Sequence, residues 1–191
     1  MRGWSWRTLL AAACLVSACA EPPNKEIDQA QGAIDAARAA GGERYATTEY
    51  TAATASLKSA NDAVLQGDYR LALNYALESR EHAQNAAREA ADGKARTGAE
   101  VERDMAQIAA LLAQASTRLT AAQRARGPSR LRQPAAEIEA VNAVVQKAGE
   151  QIRKDDYLGA QATLRGVKER IQKAVIAIEA VNGSQSQRRR R

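Results

Sequence analysis

The sequence predicts an all-α protein, an antiparallel helical bundle built from two three-helix repeats. Three observations predict it. Phe is absent, both tryptophans sit within the first six residues, and the rest of the chain has only Tyr45, Tyr50, Tyr69, Tyr75 and Tyr157 as aromatics. Such an alanine-rich chain cannot fill a thick sheet-type core, whereas alanine is the best helix former and lets helices approach closely. Apolar side chains recur at alternating spacings of three and four, which places them on one stripe of a helix. That stripe then repeats, unbroken, 88 residues further on.

In chain order the first element is an export signal. Arg2 and Arg7 form a basic start, and the apolar run from Thr8 to Val16 is too short to span a bilayer as a permanent helix. The run ends in Val16-Ser17-Ala18-Cys19, which resembles the lipobox of bacterial lipoproteins. The resemblance implies cleavage before Cys19 and a diacylglycerol thioether on its sulfur. Residues 1–18 are then the signal peptide and 19–24 the lipidated N-terminus and linker. Ala20 follows the cysteine, where Asp favours retention in the inner membrane, so the implied destination is the periplasmic face of the outer membrane. At about 3.3 Å per residue, the linker would keep the folded body within roughly 20 Å of its anchor.

Residues 25–96 are the expected first helical repeat. A leading helix from near Lys25 ends at Gly41-Gly42, because paired glycines favour a C-terminal cap. The stripe Tyr50, Ala53, Leu57, Ala60, Val64 follows, then a turn at Gly67-Asp68, then Tyr69, Ala72, Ala76, Ser79, Ala83, Ala86, Ala90. Asp68 is placed to cap the second arm through the free amides of its first turn. Between the repeats, Gly93 and Gly98 mark either a loop, giving one six-helix body, or a weakened stretch of a long continuous helix. Each Gly costs about 1 kcal/mol relative to Ala, too little to forbid continuity, which the flanking helix formers favour.

Residues 97–182 are the second repeat. Its leading helix, expected from near Val101, ends at Gly127-Pro128, and Pro134 can start the next. The stripe returns as Ile138, Val141, Val145, Ala148, Ile152, a turn at Asp155-Asp156, and Tyr157, Ala160, Leu164, Val167, Ile171, Ala174, Ile178. The two leading helices match each other poorly in register. Residues 183–191 close the chain as a polar tail, expected to be disordered, that ends in Arg188, Arg189, Arg190 and Arg191.

The runs Ala36-Ala37-Arg38-Ala39-Ala40, Tyr45-Ala46-Thr47-Thr48-Glu49-Tyr50, Gly67-Asp68-Tyr69-Arg70-Leu71-Ala72 and Ala83-Gln84-Asn85-Ala86-Ala87 resemble the DUF4398 family of bacterial envelope proteins. The resemblance covers about residues 25–96. Thr47 stands where the family often has Pro. The family implies a helical envelope protein without an assigned activity, and although some relatives carry an OmpA-like peptidoglycan-binding domain, no such domain is read in these residues and direct cell-wall anchoring is not expected.

Charge narrows the functional classes. The chain has 28 Lys and Arg against 22 Asp and Glu, but setting aside Arg2, Arg7 and the terminal four arginines leaves 22 of each. The body is formally neutral. Its basic pI therefore reflects the ends, and no nucleic-acid partner is expected for an exported protein. His82 with Glu78, four residues apart, is a metal half-site that lacks further ligands, and Asp155 with Asp156 reads as capping before acid-base chemistry. No nucleophile elbow, Cys-His pair or phosphate loop is present in the sequence, so neither catalysis nor a cofactor is expected. Tyr69 and Tyr157, at equivalent turns, read as packing wedges.

The expected function is that of a non-catalytic outer-membrane lipoprotein, a helical scaffold or adaptor for another envelope protein. The alternative is an electrostatic tether whose Arg188–Arg191 cluster binds an anionic envelope polymer or lipid headgroups, where guanidinium geometry helps.

Overall fold

A computed structural model describes residues 21–183, and every regular element among them is helical. The order is α1 (Asn24–Ala39), α2 (Gly42–Tyr45), α3 (Thr47–Leu65), α4 (Tyr69–Arg126), a 3-10 turn (Pro128–Leu131), α5 (Arg132–Arg153), α6 (Tyr157–Leu164) and α7 (Val167–Gly183). The chain divides into two compact units, the first ending at Ala90 and the second beginning at Ala91. Gly93 and Gly98 both lie inside the 58-residue α4, so no helix starts at Val101. Neighbouring helix formers outweigh the two glycines.

The first unit packs α1, α3 and the opening turns of α4 around an alanine-rich core. Ala30, Ile34 and Ala37 of α1 meet Tyr50, Ala53 and Leu57 of α3 and Ala83, Ala86 and Ala90 of α4. The corner between α1 and α3 is tight. A Cβ on Gly42 would lie 2.9 Å from the Ala37 carbonyl oxygen, closer than real Cβ atoms come, so only glycine fits there. Tyr50 fills the space beyond this corner, with the Arg38 guanidinium 5.9 Å from its ring centroid and Arg38 Nε donating to Glu43 at 3.2 Å. Burial, then the Glu43 carboxylate, push the Tyr50 phenol above its ordinary value.

The second unit repeats the plan with larger side chains. Val101, Ile108 and Leu112 of α4, Ile138 and Val141 of α5, and Leu164, Val167, Ile171 and Ile178 of α6 and α7 form its core, closed at one end by Leu131. Positions held by Ala76, Ser79, Ala83 and Ala90 in the first unit are Leu164, Val167, Ile171 and Ile178 here. Each extra buried methylene adds about 0.8 kcal/mol of apolar transfer, so the second core has the larger hydrophobic driving force.

The hairpin turns are equivalent in detail. Gly67 and Asp155, 88 residues apart, both adopt positive φ, 74° and 58°. The following amides reach back to the ends of the preceding helices, Asp68 to Ala63 O at 3.0 Å and Asp156 to Gln151 O at 2.9 Å. Both predicted caps form. Asp68 Oδ1 accepts from the Leu71 amide at 3.0 Å, and Asp156 Oδ1 from the Gly159 amide at 3.3 Å.

Two expectations need correction. The final helix is broken at Arg165-Gly166, where Gly166 takes φ 75°, yet Leu164 and Val167 on either side remain buried. The break turns within the stripe's own three-residue step, so the apolar register survives it. The leading helices also match after all. Ile27, Ala30, Ile34 and Ala37 correspond to Leu112, Ala115, Leu119 and Ala122, all packed in their cores at a constant offset of 85. The offset returns to 88 at Ala46 and Pro134, both buried at helix starts, because the second unit's connection is three residues longer.

Candidate functional site

Cys19 and the arginines 188 to 191, the sites expected from sequence, lie outside the described residues. Among the described residues no helix is long and apolar enough to cross a membrane. The described residues include apolar and polar grooves and polar clusters around His82 and Asp155.

A largely apolar groove belongs to the second unit. Leu111, Gln114 and Arg118 of α4 face Ile171, Gln172, Val175 and Ile176 of α7 across an open hollow of about 270 Å³. The three- and four-residue steps from Leu111 to Gln114 to Arg118 on one helix, and the four-residue step from Ile171 to Val175 on the other, put each set on one helix face. Ile176 is 64% exposed, a large apolar side chain left in solvent at the rim, and Arg118 is paired with Glu179 at one end. An apolar floor with a charged pair at one end is a form of surface that can take an amphipathic helix.

The first unit's groove, about 350 Å³ between α1 and α3, is different in character. Ile34 and Leu57 form its base, but Gln31, Arg38, Lys58, Asn61 and Asp62 surround them. Its charges are already satisfied locally, Arg38 by Asp35 and Glu43, and Lys58 by Asp62 at 2.8 Å.

His82 sits half-buried where α4 crosses the first turn of α3. Its Nδ1 lies 2.8 Å from Glu49 Oε2, while Glu78, the partner suggested by sequence spacing, is more distant at 3.8 Å from Nε2. The Glu49 contact holds the imidazole pKa above its ordinary value against the opposing effect of burial. Reciprocally, His82 holds the Glu49 carboxyl below the usual carboxylate range. Among the described residues, no three His, Cys, Asp or Glu side chains are grouped to hold a metal.

Asp155 and Asp156 point to separate tasks. Asp156 caps α6, whereas Asp155 pairs with Lys94 of α4 at 3.2 Å and accepts from the Tyr157 hydroxyl at 3.3 Å. The Asp155 carboxylate raises the Tyr157 pKa. The Tyr157 ring packs on buried Gly98, with Lys94 Nζ 6.0 Å from its centroid, so this tyrosine is a wedge between α6 and α4. Gly98 leaves room for the ring. Sequence spacing missed the Glu49–His82 contact because its members lie 33 residues apart on different helices.

The family model of DUF4398, described as a domain of unknown function, matches residues 25–101, from α1 into α4. No curated protein and no solved structure matches the chain.

Proposed function

Taking residues 25–101 as a DUF4398 domain, we propose that the protein is a non-catalytic outer-membrane lipoprotein that serves as a helical scaffold for another envelope protein. The observation that carries this reading is the α4–α7 groove, where Ile176 stands 64% exposed beside Leu111 and Val175. An amphipathic helix of the partner would bury these side chains at about 25 cal/mol per Å² of apolar area. The lipobox at Cys19 supplies the anchor. A second reading, an electrostatic tether, is favoured by the confinement of the chain's excess positive charge to its ends, including the four terminal arginines.

Crosslinking in cells, followed by mass spectrometry, tests the scaffold. Native protein should capture a defined envelope partner, and Ile176→Lys should lose it while the helical circular dichroism stays unchanged. Equal capture by both would reject the groove as the docking surface. The anchor is tested separately, since Cys19→Ser should accumulate as unprocessed precursor.

A further inference from the structure

The repeat carries a polar contact as well as an apolar stripe. Glu137 lies 88 residues after Glu49, and Arg170 lies 88 after His82. In the second unit Arg170 Nε donates to Glu137 Oε1 at 2.6 Å, joining α7 to the first turns of α5. In the first unit His82 Nδ1 and Glu49 Oε2 make the same connection at 2.8 Å, joining α4 to the first turn of α3. All four side chains are partly screened from solvent, with exposures between 24% and 39%. The two units thus share one interhelical strut with different cations. A guanidinium stays charged at any physiological pH, whereas an imidazole changes charge between about pH 5 and pH 8.

We propose that the Glu49–His82 contact is a pH-responsive clamp between α3 and α4, the titratable counterpart of the fixed Glu137–Arg170 strut. The groups around His82 define its direction of action. From α3 it faces Glu49, and on its own helix Glu78 and Glu81 add to the attraction for a proton. From α1, apolar Ala30, Ile34 and Ala37 share the core beside this stretch of α4, and uncharged Gln29 accepts from the Arg80 guanidinium at 2.7 Å. Glu49 sits in the first turn of α3, where the free amides and helix dipole favour its ionised form.

The sign follows from both partners. His82 has a raised folded-state pKa, so its contribution is full below the ordinary value of 6.5 and is lost as pH rises through the folded value. Glu49 has a lowered pKa, so its contribution is full above 4.5 and is lost as pH falls through its own folded value. The clamp is therefore fully closed in mild acid and slackens towards alkaline pH. Neutral imidazole can still donate from Nδ1, so slackening removes the ionic attraction and leaves a weaker hydrogen bond.

His82 is the sole histidine, so its ring resonance in the full chain is unambiguous. A proton-NMR titration should give a midpoint above 6.5, and Glu49→Gln should bring it down. Amide exchange on the same protein, corrected for intrinsic rate, should show α3 losing protection as pH rises through that midpoint while α5 stays flat. His82→Arg, which copies the second unit, should keep α3 protected at high pH. His82→Gln should hold it at the slackened level throughout. A midpoint at or below 6.5, or an α3 pH profile shared by native protein and His82→Gln, overturns the clamp.

Discussion

Ser79 occupies a stripe position where the second unit has Val167, and it is wholly buried. Its hydroxyl is satisfied by donating to the Ala53 carbonyl of α3 at 2.8 Å, so a polar atom ties α4 to α3 where Val167 relies on packing. Burying a hydroxyl without a partner is costly, and the bond offsets that cost. Ser79→Ala should lower stability by about 1 kcal/mol in denaturant melts, since the bond is lost but little volume is. An unchanged midpoint would mean that the bond contributes nothing net. Buried status was legible from the three-and-four spacing, but the hydrogen bond was not, because its acceptor lies on another helix. The same holds for His82. Its local neighbour Glu78 was visible in sequence, while its closer partner Glu49 was hidden by separation along the chain. The signal that could have found it was the repeat itself, since Glu49 and His82 map onto Glu137 and Arg170, an obvious ion pair.

Helices and turns were read well wherever a local cause fixed them. Asp68 and Asp156 cap as expected, because the capping geometry needs only the residue and the amides that follow it. The break between α6 and α7 was not legible. A lone Gly within a helical pattern costs only about 1 kcal/mol, the same as Gly93 and Gly98, which α4 absorbs. What differs at Gly166 is a positive φ, which sequence spacing does not report. The three-residue slip between leading helices was likewise invisible to a search for one constant offset. The buried stripe itself can be tested by one pair of variants on α7. Ile171 is 1% exposed and Glu169 is exposed, so Ile171→Ala should cost about 2 to 5 kcal/mol through lost transfer energy and cavity, and Glu169→Ala under about 0.5 kcal/mol. Equal effects in denaturant melts would contradict the packing.

At the scale of the molecule, the two proposed functions use different parts of the chain, and one cut separates them. Ending the chain after Asn182 removes Arg188–Arg191 and leaves every buried side chain of the second core, the last of which is Ile178. The helical circular dichroism should therefore be unchanged. A scaffold acting through the α4–α7 groove should keep its crosslinked partner after the cut and complement a deletion strain, because Leu111, Val175 and Ile176 remain. A tether should lose binding to anionic polymer, and even the intact protein's binding should weaken steeply with salt, since exposed charges are screened over about 8 Å at physiological ionic strength. The body's balance of 22 basic and 22 acidic residues sharpens the contrast, for without the terminal arginines no net attraction to a polyanion remains. The expected outcome is retained partner capture with little salt dependence. Loss of every partner with the helical spectrum intact would reverse the ranking and place the activity in the arginine tail.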